Sequence, residues 1–434
     1  MRSIKINLSK KSVNAWDAAV LLVETYFTSE LKADQVLEML PDSFVDQNRA
    51  SCQSLFLGAL RHGHRSCAAF QPLLRKSPRP LVKAILLVAG YEFYAEAPAR
   101  HPKIVHHAVE RSKKLVNRYE QGFLNAVLRK LPAAIASIDE SSASADFHSH
   151  PDWLVAHWIE QFGQEATQAL LCWNQQIPEQ AIRLYGPSGA LPEFLVPTEW
   201  PDFYQIARSA HWQQQVAPLL NSGSAYIKDP STRLAPALLA PAPGMDVLDL
   251  CAAPGGKSYD LAHHMQYSGR IVAVDLPGKR IARLKENLRH LSKTEIKVYI
   301  VESDVLELTP ATFEAQQLPI LYDAVMLDAP CSNTGVIQRR TDVKWRLQPQ
   351  DIQQCARLQL KLLTAAAAFV KPGGRLVYST CSIEHAENRA VVDAFLASAA
   401  GKPFAPCSEK DAAISLPWQT GHDGAAAFLL MRTN

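Results

Sequence analysis

What the chain lacks narrows the field first. None of its eight cysteines stand in a C-x-x-C pair, so no zinc-ribbon spacing is present and no metal site is expected. No run of about 18 uninterrupted apolar residues occurs, so neither a membrane-crossing helix nor a membrane partner is expected. The opening stretch MRSIKINLSK has no apolar core of the secretory kind, and the expected location is the cytoplasm. In a reducing compartment a cysteine without polar company is a small hydrophobe, and Cys52, Cys67, Cys172, Cys355 and Cys407 are read that way. Acidic residues are scarce at one end. Residues 1–135 hold 20 Lys and Arg against 11 Asp and Glu, although the whole chain of 434 residues is only +3. A basic end on a near-neutral chain fits a polyanion partner.

A length of 434 residues calls for two or three cores. Residues 1–135 carry apolar positions at helical spacing in AWDAAVLLVETYF, SLFLGALRHG, LVKAILLVAGYEFYA, IVHHAVERSKKLVNRY and GFLNAVLRKL, which predicts an all-helical bundle. Residues 136–151 are Ser- and Ala-rich and read as a linker. Residues 152–225 mix two helices with short strands and read as a small α/β module. From 226 to 434 strands alternate with helices: MDVLDL, GRIVAVD, IKVYIVESD, YDAVMLDAP, GRLVYSTCS and AAAFLLMR. That alternation predicts a mainly parallel, doubly wound sheet with helices on both faces.

The stretch DVLDLCAAPGGKS (246–258) ends like a phosphate loop, but that loop needs a glycine where Cys251 stands. A nucleoside-cofactor site explains more. Gly255 and Gly256 follow the first strand and let backbone approach a ligand. Asp275 ends the second strand, where ribose hydroxyls are held; Asp304 ends the third, beside an adenine edge; Asp328 ends the fourth. Three unpaired carboxylates at successive strand ends are costly as core residues. They suit a cationic ligand better than a polyphosphate, which points to a methyl donor such as S-adenosyl-L-methionine.

Cys331 in DAPCSNTG and Cys381 in STCS fall just after the fourth and fifth strands, in polar loops where a thiolate can act as a nucleophile. A thiolate beside a methyl donor fits one reaction class. Added to carbon 6 of a pyrimidine, it makes carbon 5 able to attack a methyl group. Asp328 is the candidate to stabilise charge at N3 and the exocyclic amine. The base must be unpaired or flipped out. On these residues alone either cysteine can be the nucleophile. Arg339, Arg340, Lys344 and Arg346, with Trp345 among them, read as RNA contacts beside the cleft.

DLCAAPGGKS, DAPCSNTGV and YSTCS with Glu387–Asn388 closely resemble the motifs of the RsmB/NOP2/Sun family of cytosine-5 RNA methyltransferases. The match spans about 226–434. The helical part resembles a NusB-like RNA-binding domain, and SHPDWLVAHWIEQFG resembles the start of the family's middle module. The resemblance implies a Rossmann-like class I methyltransferase domain. It implies Cys381 as nucleophile and Cys331 as the cysteine that assists product release; Asp328 remains the candidate, from the residues, for activating the base. Cys251, Ala252, Ala253, Pro254, Gly255, Gly256 and Lys257, with Asp275, Asp304 and Asp328, match the S-adenosyl-L-methionine site. The arrangement is most similar to the branch acting on 16S ribosomal RNA, before or during small-subunit assembly, as a monomer. The alternatives are the same chemistry on transfer RNA and a non-catalytic RNA-binding assembly protein. The chain departs from the family pattern at Asn333, where glycine is usual, and at Lys228, where glutamine is usual. IRLYGP (182–187) stands in place of the usual R-V-N, and RRTDVKW (339–345) is one residue short.

Overall fold

The computed structural model describes residues 14–433 apart from 42–43, 45, 139, 141–143, 186–190 and 406–407. Cys407 and part of the expected linker therefore lie outside the described residues. The chain forms two compact units, one of residues 1–177 with 337–347 and one of residues 178–336 with 348–434. This differs from the expected boundaries. The helices expected in the module 152–225 pack in the first unit, and its strands belong to the second.

The first unit is helical: α1 (Ala15–Thr28), α2 (Ala33–Leu37), α3 (Asp46–Arg61), α4 (Gly63–Phe70), α5 (Pro80–Ala95), α6 (His101–Ser112), α7 (Arg118–Ala136), α8 (Asp152–Phe162) and α9 (Gln164–Gln175). Local chemistry sets the starts. Asn14 caps α1 by accepting from the Asp17 N–H, and Asn117 with Glu120 forms a reciprocal capping box on α7. Pro80 and Pro102 sit in first turns, where a missing N–H costs nothing. Leu22, Phe56, Leu60, Ile85 and Leu128 form a shared core. The second half of the expected linker is packed as well: His148, Ser149 and His150 are buried, and Gln175 and Asn174 of α9 bond to this stretch.

In the second unit, β1 (Ala181–Leu184), β2 (Leu195–Pro197), β3 (Phe203–Ile206) and β4 (Ala225–Ile227) form an antiparallel sheet in the order β2-β3-β1-β4. The main sheet is built from β5 (Asp246–Leu250), β6 (Arg270–Asp275), β7 (Lys297–Glu302), β8 (Tyr322–Asp328), β9 (Val370–Thr380), β10 (Ala412–Ser415) and β11 (Ala425–Met431), in the order β10-β11-β9-β8-β5-β6-β7. β5 to β9 run parallel; β11 is antiparallel to β9, and β10 is antiparallel to β11. The doubly wound expectation holds, with β10 the strand the sequence did not announce.

Alternate residues of the inner strands enter separate cores, which is why those strands are apolar throughout. Val272, Val274, Val325 and Leu327 face one layer, and Ile271, Ala273, Ala324 and Met326 the other. The strand order reverses at β5, with β6 and β7 on one side and β8 and β9 on the other. A crevice at the carboxyl ends is where such a sheet takes its ligand. The cofactor loop and both cysteines lie at those ends.

Candidate active site

After β5 the chain turns through Cys251, at φ +61°, and Gly255, at φ +105°, into the helix Gly256–His264. Neighbours pin this loop from several sides. The Ala252 N–H donates to Val274 O at 3.0 Å and the Ala253 N–H to Asp275 Oδ2 at 2.8 Å. Arg280 donates to Ala253 O at 2.7 Å, and Asn287 to Pro254 O at 2.8 Å. A side chain at Gly255 would meet Leu284 Cδ1 at 3.0 Å, besides requiring a left-handed backbone. One at Gly256 would meet the Tyr226 ring at 3.3 Å. The fold thus has its own use for small residues here, besides the close approach to a ligand expected from the sequence.

Asp275 ends β6 and is 3% exposed. Besides Ala253, it accepts from the Leu276 N–H at 2.9 Å, and each oxygen keeps a further acceptor direction. Asp304, two residues past β7, accepts from the Leu306 N–H at 2.9 Å. Asp328, at the tip of β8, accepts from Lys257 Nζ at 2.7 Å and Ser379 Oγ at 3.0 Å. Burial works against the charge of Lys257, but Asp328 and Cys381 outweigh it, so the ammonium titrates above its ordinary range. Asp249 is buried beneath the loop on the Ser258 hydroxyl, and burial pushes its carboxyl up to about 7. Cys251 is likewise pushed up, first by burial and then by Asp275, and stays a thiol. Carboxylates ringing the ends of parallel strands, with the Ala253 N–H already taken by Asp275, fit a ligand rich in hydroxyls, amines and positive charge, and do not fit a polyphosphate.

β9 ends at Thr380, which leaves Cys381 one residue beyond the ladder. Its sulfur lies 3.3 Å from that of Cys331 and donates to Asn333 Oδ1 at 3.3 Å. The Cys331 thiol is pushed well above its usual range, first by its bond with Cys381 and then by burial.

Glu387, quoted above only as part of a motif, ties the two cysteine loops together. Its carboxylate accepts from the Ser332 N–H at 2.9 Å, from the Ser332 hydroxyl, from Ser382 Oγ at 2.7 Å and from Gln359 Nε2 at 2.9 Å. Ser332 and Ser382 each follow a cysteine, so one buried acid fixes both sulfurs by their next neighbours. Asn388 joins in through Thr380 Oγ1, at 2.6 Å, and Ser382 O, at 2.9 Å. Gly335 donates to Cys381 O at 3.1 Å, and a Cβ there would stand 2.4 Å from Gly424 O. No local signal singles out Glu387: Glu384 and Glu387 both follow Ser382 within five residues, and the sequence does not say which one takes the serines.

Two departures from the family pattern meet at one carboxylate. Asp260 accepts from Arg183 and Tyr185 of the IRLYGP stretch and from Lys228. Lys228 also donates to Gly256 O at 3.0 Å, which braces the cofactor loop from beneath. Burial lowers its ammonium to about 8 against the pull of Asp260.

The expected RNA contacts separate. Lys344 is 1% exposed, and its ammonium donates to Arg61 O inside the helical unit. Trp345 donates to Leu60 O at 2.8 Å, and Arg346 donates to Glu30 O and Leu31 O. Lys344 is therefore not placed to meet a phosphate, and Arg346 is already held by backbone carbonyls. This segment ties itself to helices α1 to α3 instead of lining a surface groove. Arg339 is half-buried and Arg340 is exposed. Among the described residues no cluster suited to a metal ion occurs, and no helix is long and apolar enough to cross a membrane.

Residues 236–416 match the family described as 16S rRNA methyltransferase RsmB/F, and residues 11–132 match the NusB family. The probable ribosomal RNA small subunit methyltransferase B of Bacillus subtilis is 30% identical over 410 residues, covering 90% of this chain and 89% of that protein. The ribosomal RNA small subunit methyltransferase B of Pseudomonas syringae pv. tomato is 32% identical over 410 residues, covering 87% and 88%. In fold, the crystal structure of PH0851 aligns with a TM-score of 0.74 at 22% identity, over 96% of this chain and 98% of that one. A methyltransferase homologue from Pyrococcus horikoshii aligns at 0.54 and 22% identity, over 68% and 100%. With the glycine loop, the strand-end carboxylates and the paired cysteines in place, the chain belongs to the RsmB/F family of 16S rRNA methyltransferases.

Proposed function

We propose that this chain methylates carbon 5 of a cytosine in 16S ribosomal RNA, with Cys381 as a covalent nucleophile. One observation supports the reading: sulfurs fifty positions apart in sequence come to 3.3 Å on the loops that follow β8 and β9, whose ends carry Asp328, paired with Lys257, and Ser379, bonded to Asp328. S-adenosyl-L-methionine is the methyl donor of this family and, when bound, supplies a methyl group on a sulfonium. Asp275, Asp304 and the loop 251–257 are the residues that would hold it. The basic helical unit grips the ribosomal RNA, with exposed Arg340 available to a phosphate.

The protein's own residues divide the remaining work. Lys257 favours the Cys381 thiolate by charge. The thiolate adds to carbon 6 of a flipped-out cytosine, and the C5=C6 electron pair becomes available at carbon 5. Asp328 accepts from the exocyclic amine, and N3, which carries no hydrogen in neutral cytosine, takes up a proton from water as charge develops there and gives it back when the C6–S bond breaks. Once carbon 5 carries its new substituent, a base removes the carbon-5 proton. The double bond re-forms, the C6–S bond breaks, and Cys331 assists that release.

RNA bearing 5-fluorocytidine tests the covalent step, because fluorine blocks the final proton removal. Wild type forms an adduct that survives denaturation, and Cys381→Ala forms none while still binding the methyl donor. With unsubstituted RNA, Cys331→Ala accumulates the adduct. Bisulfite sequencing of ribosomal and transfer RNA from a deletion strain identifies the substrate; a lost mark confined to transfer RNA overturns the ribosomal assignment.

A further inference from the structure

We infer that Asn333 is a positioning residue for the Cys381 thiol, a task that the glycine usual at this place cannot perform. Asn333 has φ +62°, a left-handed backbone that asparagine tolerates better than most side chains. Its Nδ2 donates to Cys331 O at 2.8 Å. A carbonyl only accepts, so the NH₂ half of the amide must face Cys331, and the Oδ1 half is then turned toward the other loop. There it receives the Cys381 S–H at 3.3 Å. One amide thus spans the two cysteine loops, with its orientation fixed by one cysteine and its acceptor spent on the other.

An acceptor oxygen on the sulfur stabilises the thiol and opposes the thiolate. It also directs the S–H, and so fixes where the sulfur lone pairs lie before a base arrives. The Cys331 sulfur lies 3.3 Å from this one, Glu387 holds the serines that follow both cysteines, and Lys257, paired with Asp328, acts on Cys381 by charge. All of them stay in place when only residue 333 is changed. The consequence for turnover rests on Cys381 being the nucleophile; the contact itself does not.

The test needs no RNA. The full-length protein is alkylated with iodoacetamide across a pH series, and modification of Cys381 is read by peptide-resolved mass spectrometry. Asn333→Gly accepts the same backbone and removes the acceptor. Asn333→Asp also tolerates the left-handed backbone and puts a negative charge on the sulfur. The alkylation midpoint of Cys381 moves down in Asn333→Gly and moves up by about one pH unit in Asn333→Asp. General loosening of the loop would move both the same way. A shared direction, or one midpoint for all three proteins, overturns the role. In methylation assays both variants lose about tenfold in kcat with an unchanged KM for the methyl donor, as misaligning a reacting group does. Midpoints that split as expected with unchanged kcat would leave the thiol contact standing and count against Cys381 as the nucleophile.

Discussion

The cofactor loop and the cysteine loops crown the same sheet but are held by opposite means. Asp275, on the neighbouring strand, grips the cofactor loop through the Ala253 N–H, while Arg280 and Asn287 clip its carbonyls. Glu387, from a turn outside the sheet, grips the cysteine loops mainly through the hydroxyls of Ser332 and Ser382. An amide N–H has one direction, fixed by its backbone, whereas a hydroxyl rotates to follow its acceptor. The cofactor loop is thereby set in one shape. The cysteine loops can stay linked while, in the proposed reaction, a sulfur moves to bond with a substrate and withdraws. A rigid frame suits the half that binds, and a hinged clasp suits the half that reacts.

Removing the clasp should have the largest effect. Glu387→Ala leaves four donors without their acceptor, a loss of a few kcal/mol of stability, and frees the two sulfurs to drift. Turnover is expected to fall by about a hundredfold, the usual result of misplacing a reacting group by an ångström. Cofactor affinity, measured by calorimetry, should stay within a few-fold. An affinity loss as large as the rate loss would show that the two halves are not separable.

Asp275→Asn is the converse and the next largest. The substitution removes the charge that holds the Ala253 and Leu276 amides. A charge-assisted bond of about 1.5–3 kcal/mol converts to a cofactor affinity weaker by roughly 10- to 100-fold. Formation of the fluorocytidine adduct, which reads the cysteine half, should keep its rate at saturating cofactor. Equal damage to both would break the comparison.

The sequence was most legible where chemistry and periodicity coincide. Strand-end positions of Asp275 and Asp328 followed from apolar runs that stop abruptly at an acid, and Cys331 and Cys381 from polar loops at matching places; Asp304, read as ending the third strand, stands two residues past it. What escaped depended on long-range partners. Lys344, in a run with three arginines, read as surface charge; it is buried with its ammonium on Arg61 O, and its neighbour Trp345 bonds Leu60 O, both nearly three hundred positions away. Lys228 and IRLYGP looked like separate irregularities until Asp260 joined them. Glu387 carried no local sign that it would be buried among serines. β10 escaped because four residues with no sustained alternation do not mark a strand.

The rigid half should also record pH, because burial shifts Asp249 beneath the cofactor loop. Its carboxyl is raised from the ordinary 3.8 to about 7. The folded chain therefore keeps a proton that the unfolded chain has lost, and the stability from this group is full below about pH 4 and disappears as pH rises through 7. Asp249→Asn should flatten the fall in unfolding midpoint between pH 4.5 and 7.5. Glu92 in the helical unit, also raised to about 7, acts with the same sign, so the difference between variant and wild type is the quantity to read. Identical slopes would mean that Asp249 is charged in the fold.

The smallest effect is expected where this chain departs from its family beneath the same loop. Lys228→Gln restores the usual residue and keeps an N–H that can reach Gly256 O, while Arg183 still pairs with Asp260. Cofactor affinity should change by about threefold or less. The pH signature is sharper than the affinity. The buried ammonium is lowered from 10.5 to about 8, so the unfolded chain binds a proton across that window and the folded chain does not; wild-type stability therefore rises from pH 8 toward 10.5. Lys228→Gln should lose that rise and leave the clasp around Glu387, and with it the adduct rate, untouched. A variant that instead slowed adduct formation would show that strain beneath the cofactor loop reaches the cysteines, and the division between a rigid half and a hinged half would fail at its base.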